Sequence, residues 1–384
     1  MKKILLCLLV VVVLLPIVNA ETLDLSPNAR SAILIEASTG EILYQQNIHE
    51  KLAPASMTKM MSMLLIIENI KNENLKWDEK IKVSANAAGM GGSQIFLETG
   101  EVMTVEDLFK GIAIGSANDA TVALAERVAG NEQAFVQMMN ERVRELGLKN
   151  THFKNSHGLD AANHYSSAYD MAMIAKELVK YQKALEYSSI YETHLQGNRR
   201  DRFWLVNTNK LVRFYKGVDG LKTGFTQEAG YCLTATANKN NMRLIAVVMG
   251  APTGQIRNHE ISGMLDYGYN LYNRSIILNK DDVVGKIEIE KGRIEKVDVI
   301  PIDEVSVLYK KGTSKRTWEY KLTITNNKAP IKNGDVVGYI DIIEKGKVVR
   351  KIDATVKQDV GKANILQLYI RYFGDIIRGN INFR

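Results

Sequence analysis

The chain has 384 residues, 46% of them hydrophobic and 24% charged, with a formal charge of +7. That balance excludes a disordered chain, and the length excludes one small domain: at roughly 150 residues per domain it implies two or three packed cores. The basic charge suits anionic membrane surfaces and wall polymers; it is dispersed and comes with no recognition motif, so no nucleic-acid partner is expected.

The first twenty residues, MKKILLCLLVVVVLLPIVNA, set Lys2 and Lys3 before an apolar run from Ile4 to Val18 and a small residue at Ala20. This is the order of a secretory signal, so residues 1–20 are read as a signal peptide cleaved after Ala20 and the mature protein as exported. The run is short for a membrane span. Cys7 stands too early for a lipidation site. Cleavage removes Lys2, Lys3 and Cys7, which lowers the charge from +7 to +5 and leaves Cys232 without an intrachain disulfide partner.

SAILIEASTGEILYQQN (31–47) reads as two strands joined by a turn at Ser38-Thr39-Gly40. KLAPASMTKMM (51–61) then opens a helix to about Asn69, apolar on nearly every side and therefore buried. Helical sequence continues to about residue 190, with Ser167 and Asp170 placed as a capping box for SAYDMAMIAKELV. YCLTATA (231–237) and RLIAVVMG (243–250) are strands around the turn NKNN, and ISGMLDYGYNLYN is a helix. A sheet built from both ends of a domain, with helices inserted between, is an α+β architecture.

From about Ile276, short strands alternate with charged turns (GKIEIEKG, VSVLYKKG, WEYKLTIT), which predicts a separate β-rich domain. The reading divides the chain into a signal at 1–20, a catalytic domain at 21–275, the β-rich domain at 276–363 and a tail at 364–384. In the tail, about 100° per residue gathers Ile365, Leu366, Leu368, Tyr369, Ile370, Tyr372, Phe373, Ile376 and Ile377 on one arc. Gln367, Arg371, Gly374, Asp375 and Arg378 lie opposite. Such a helix suits the membrane interface, and Arg371, Arg378 and Arg384 against Asp375 favour anionic lipid. A helix docked on the β-rich domain is the alternative.

Three short motifs carry chemistry. Ser56 and Lys59 stand one helical turn apart, Ser116-Ala117-Asn118 follows an apolar helix, and Lys222-Thr223-Gly224 precedes the strand hairpin. A serine hydroxyl attacks only when something takes its proton. Lys59 shares its helix face and can do so when neutral, which burial and a neighbouring cation, Lys222, would bring about. Ser116 can relay a proton to a leaving amine and Asn118 can bond a substrate amide. Lys222 and Thr223 can hold a carboxylate, while Gly224 lets substrate lie close to the strand. An oxyanion needs two N–H donors, assigned to Ser56 and Phe225, with the helix N-terminus adding positive potential. S-x-N also occurs at Ser26–Asn28 and Ser84–Asn86, the latter reading as a helix cap, so no motif identifies the site alone. The six histidines form no HExxH or similar cluster, so no metal is expected. Cys232 lacks a histidine partner and reads as a buried strand residue.

The three motifs together, with LAPASMTK, GSANDATVALAERVAG, FKNSHGLD, HYSSAYDMA and GVDGLKTGFTQEAGYCLTATA, resemble the D-alanyl-D-alanine carboxypeptidases, low-molecular-weight penicillin-binding proteins. The likeness is strong over residues 24–270 and weaker beyond. It implies a β-lactamase/transpeptidase-like fold: a helical region beside a five-stranded antiparallel sheet, with the site at their junction. It implies release of the terminal D-alanine from the pentapeptide stem of peptidoglycan through an acyl-enzyme on Ser56, acylation of the same serine by β-lactams, and no cofactor. Arg257 corresponds to an arginine near the substrate carboxylate, and His157 to a histidine bordering the site. The family usually has proline where Ser156 stands. Two alternatives are weighed: a β-lactamase, whose E-x-x-L-N loop is matched only by ELGLK at Glu145 and ETHLQ at Glu192, without the asparagine, and an inactive wall-binding scaffold.

Overall fold

A computed structural model describes residues 23–195, 203–313 and 317–377. The signal-peptide reading at 1–20, and Arg378 and Arg384 of the tail, lie outside the described residues. The first strand pair forms as read: β1 (Ser31–Glu36) runs antiparallel to β2 (Ile42–Gln46), with Leu34 opposite Tyr44. With β3 (Val218–Thr226), β4 (Gly230–Lys239) and β5 (Met242–Ala251) they build a five-stranded antiparallel sheet in the order β2-β1-β5-β4-β3. Chain start and chain middle thus meet at β1 and β5, where Ile33 faces Val247.

Alternation along the strands gives the sheet two apolar faces. Ile33, Ile35, Ile245 and Val247 pack on one side with α1 (Lys59–Lys71), α2 (Asn118–Ala129), α3 (Glu132–Glu145) and α4 (Ala168–Leu178). Ala32, Leu34, Leu244 and Ala246 pack on the other, against Ile261, Met264 and Leu265 of α5 (Gly254–Leu271). Every residue of α1 from Lys59 to Ile67 is buried, so this helix runs through the middle of the domain, as its all-round apolarity predicts. Each such fully buried aliphatic side chain contributes roughly 1.5–3 kcal/mol. Ser167 caps α4 as read, its hydroxyl accepting from Asp170 N, but the Asp170 carboxylate turns to Asn150 N and Thr151 Oγ1.

Three local differences stand out. The Lys222-Thr223-Gly224 motif, read only as preceding the hairpin, lies inside a strand of its own, β3, at the edge of the sheet. A short hairpin, Glu192–Leu195 with Phe203–Val206, was not foreseen. The second domain opens at Tyr272, four residues before Ile276. Tyr272 prolongs the aromatic spacing of α5 and its ring still meets Tyr267 at 6.1 Å, but its backbone has already joined a strand pair, Tyr272–Leu278 with Val305–Lys310.

The second domain is a five-stranded antiparallel sheet with its own core around Val299, Ile340, Ile342 and Val356. Its junction with the first domain buries Leu308 in the core beneath α5 and adds polar contacts. Arg350 donates to Ser38 O (2.8 Å) and Ser306 O (2.5 Å), and Arg274 Nε to Ser38 Oγ (3.0 Å). Glu36, fully buried, accepts from Ser38 Oγ, Thr39 N and Thr39 Oγ1 and so shapes the β1–β2 turn that the two arginines grip. Last comes α6 (Ile365–Ile377).

Candidate active site

Ser56 sits in a 3₁₀ turn, Ala55–Thr58, that leads into α1, and its amide falls in the first turn, where helical geometry leaves N–H groups without acceptors. Ala55 has a φ of +46°, a left-handed conformation that costs a non-glycine residue of order 1–3 kcal/mol and is held there by its surroundings. Two glycines press on this turn. A side chain on Gly158 (φ +91°) would collide with Ala55 O, and one on Gly224 would lie 2.8 Å from Pro54 O and 3.1 Å from Ala55 Cβ. Gly224 therefore lets β3 close on the Ser56 turn.

Lys59 is fully buried, with Nζ 3.0 Å from Ser56 Oγ, 2.6 Å from Asn118 Oδ1 and 2.5 Å from His157 O. Burial first, then the positive charge of Lys222, holds its pKa well below the usual lysine value, with Asp119 opposing. The Asp119 carboxylate is itself engaged by the N–H groups of Ile95, Leu97 and Ala120. A neutral amine has two N–H donors and one lone pair. Asn118 Oδ1 and His157 O accept but cannot donate, so they take the two protons. The lone pair is left pointing at the Ser56 hydroxyl, which is the arrangement a general base requires.

Ser116 ends a π-helical turn, Gly111–Gly115, in the left-handed region (φ +64°), and Asn118 begins α2 with its Nδ2 donating to Gly91 O (2.6 Å). Leu205 of the unforeseen hairpin packs on Gly115, and Thr208 N donates to Ile114 O, so the hairpin supports the Ser116 turn. The other S-x-N at Ser84 is a helix cap, as read: its hydroxyl accepts from Ala87 N.

Lys222 and Thr223 are buried on β3, and Thr223 Oγ1 donates to Thr208 Oγ1 (2.7 Å). Burial, then Arg257, lowers the Lys222 pKa to about 7. Arg257 on α5 bonds only neutral oxygens, Cys232 O (3.4 Å) and Asn258 Oδ1 (2.9 Å). Neither cation has an acidic partner among the described residues. Two buried, unpaired cations side by side make a site for an anion. Phe225 follows on the strand, half exposed, its ring 4.4 Å from Tyr231.

His157 reaches the site through its carbonyl. Its ring Nδ1 accepts from Leu159 N (3.2 Å), Nε2 faces Glu132, and burial, then Lys59, lowers its pKa to about 4. The Cys232 thiol is fully buried and pushed up to about 11 by burial, which suits a packing residue. Among the described residues no three His, Cys, Asp or Glu side chains cluster for a metal. Glu145 pairs with Arg142, and Glu192 lies in the hairpin strand. Sequence reasoning missed Gly91 O and the carbonyl role of His157, because backbone acceptors carry no letter; Asn118 in the motif was the only signal.

Residues 18–253 match the D-alanyl-D-alanine carboxypeptidase family, and residues 272–362 match the C-terminal domain of penicillin-binding protein 5. The chain is 46% identical over 355 residues to the D-alanyl-D-alanine carboxypeptidase DacF of Bacillus subtilis, covering 92% of this chain and 91% of that one. It resembles the crystal structure of penicillin-binding protein 5 from Haemophilus influenzae with a TM-score of 0.71 and 32% identity, covering 87% of this chain and 98% of that one. Penicillin-binding protein D2 of Listeria monocytogenes in its ampicillin-bound form is similar with a TM-score of 0.58 and 30% identity, over 64% of this chain and 99% of that one. The arrangement of Ser56, Lys59 and the two buried cations thus sits in a chain that belongs to the D-alanyl-D-alanine carboxypeptidase family.

Proposed function

We propose that this protein is a serine D-alanyl-D-alanine carboxypeptidase that trims the terminal D-alanine from peptidoglycan pentapeptide stems, with Ser56 as nucleophile and Lys59 as its base. The observation that carries the reading is the buried amine of Lys59, bonded to two carbonyl oxygens and 3.0 Å from Ser56 Oγ. Ser56 Oγ attacks the carbonyl carbon of the scissile amide as its proton passes to Lys59. The N–H groups of Ser56 and Phe225 receive the oxyanion. The C–N bond then breaks as Ser116 gives its hydroxyl proton to the departing nitrogen of D-alanine and takes one from the Lys59 ammonium, which leaves Lys59 neutral again. Water, deprotonated by the same base, attacks the ester and frees Ser56. Asn118 bonds the substrate amide, and His157 borders the site. A β-lactam ring offers a strained amide to the same serine and leaves it acylated.

Lys222, Thr223 and Arg257 are assigned to the terminal carboxylate, which neutralises the pair of buried cations and limits cleavage to the last peptide bond. The exported, cell-wall setting follows from this substrate, and the signal at 1–20 supplies the route. The chain is assigned the division 21–275, 276–363 and 364–384, and the strand that begins at Tyr272 supports a junction close to residue 275. Among the described residues no helix is long and apolar enough to cross a membrane. The tail helix is assigned to the outer face of the cytoplasmic membrane, lying in the interface. Its polar side faces the protein, with Arg371 Nη2 donating to Gly292 O (3.1 Å) and Leu368 half buried beside it. Its apolar arc faces outward: Ile365, Ile370 and Ile377 are 87%, 63% and 70% exposed. A helix docked for packing would turn the arc inward.

Three outcomes are expected. Purified protein should release D-alanine from a pentapeptide, and mass spectrometry of a penicillin adduct should place the added mass on the Ser56 peptide; Lys59→Ala should abolish the adduct, and labelling of Ser56→Ala would refute the assignment. Arg257→Ala, which loses a charge-assisted contact worth about 1.5–3 kcal/mol, should lower kcat/KM on the pentapeptide roughly tenfold or more while sparing a C-terminally amidated analogue. Unchanged preference for the free acid would place Arg257 outside the carboxylate site. Protein lacking residues 364–384 should remain folded and fail to co-sediment with phosphatidylglycerol vesicles that retain the full chain; equal retention, or unfolding, would favour a docked helix.

A further inference from the structure

The His157 carbonyl that orients Lys59 belongs to a segment outside any helix or strand, so something other than regular backbone pairing must hold it. Three polar groups do. Ser62 Oγ, one turn along α1 from Lys59, donates to Ser156 O (2.6 Å). Asn155 Oδ1 accepts from Gly158 N (2.6 Å). The third is Glu132 at the start of α3, whose Oε1 accepts from both Ser156 N (3.0 Å) and Ser156 Oγ (2.7 Å) and faces His157 Nε2 at 3.5 Å. Ser156 is completely buried. Its N–H and hydroxyl would be costly to leave unpaired, and both are spent on one carboxylate oxygen.

We propose that Glu132 is a positioning residue for the general base, acting on Lys59 through the Ser156–His157 peptide. Serine at 156 makes this possible, since a proline there would have neither donor. A ring would fix the segment by its own closed φ; here a carboxylate fixes it by hydrogen bonds. When Glu132 is shortened, the segment is free to shift, the His157 oxygen no longer claims one amine proton, and the lone pair of Lys59 is no longer directed at Ser56. The substrate-binding groups on β3 and α5 are untouched. The loss therefore falls on the acylation step and leaves non-covalent binding as it was.

This inference rests on Lys59 as base, and the experiment separates the two. The acylation rate constant and the non-covalent dissociation constant of a fluorescent penicillin are measured by stopped flow for the wild type, Glu132→Gln and Glu132→Asp. Acylation of the wild type, and its loss in Lys59→Ala, test the base itself. Glutamine keeps the reach and the acceptor but not the charge; aspartate keeps the charge and falls one methylene short. Glu132→Gln should stay within about threefold of wild type, and Glu132→Asp should acylate about tenfold more slowly or worse, with the dissociation constant of both little changed. Aspartate acylating as fast as glutamine, or faster, would assign the role to charge and overturn the proposal. Wild-type rates in both variants would overturn it as well.

Discussion

An amine sealed inside a protein without a counter-ion is most stable when neutral. That constraint on Lys59 organises the catalytic domain. The helix that carries it is buried from Lys59 to Ile67, so the amine is shielded from bulk solvent, and Lys222 adds a second positive charge nearby. Two carbonyl oxygens, from Asn118 and His157, come from separate segments of the helical insertion to take its protons. The serine hydroxyl is what remains for the lone pair.

The same electrostatic logic shapes the substrate side. Lys222 and Arg257 are buried near each other without acidic partners among the described residues, an arrangement that destabilises the empty site and favours an incoming carboxylate. A carboxylate there raises the affinity of Lys222 for its proton, and a charged Lys222 in turn keeps Lys59 neutral. On the proposed assignment, binding of the free acid prepares the base, and specificity for the chain end and activation of Ser56 share one cause. The sheet makes this possible by placing β3 at its edge, with the face at Gly224 against the Ser56 turn.

Much of this was legible in the residues. The spacing of Ser56 and Lys59, the apolar character of α1, the hairpin of β4 and β5 and the β-rich second domain all follow from local pattern, and the structure has each of them. Position within the sheet was not legible: that β3 is an edge strand depends on pairing between segments two hundred residues apart. Nor was the purpose of Gly224, whose missing side chain makes room for Pro54 and Ala55. Arg257 and His157 came only from resemblance. The clasp of Arg274 and Arg350 on the Ser38 turn was likewise hidden, because surface arginines and buried arginines look alike in sequence.

The central claim is the neutrality of Lys59 in the free enzyme, and its own titration tests it most directly. In protein carrying isotope-labelled lysine, the Lys59 side-chain resonances, assigned by their absence in Lys59→Arg, can be followed with pH. A lowered pKa means that the base is present above its midpoint and lost as pH falls through it. The account predicts a midpoint far below the ordinary lysine value of about 10.4, with the neutral amine dominant at neutral pH. A Lys59 that titrates in the ordinary range and is an ammonium at neutral pH would contradict it.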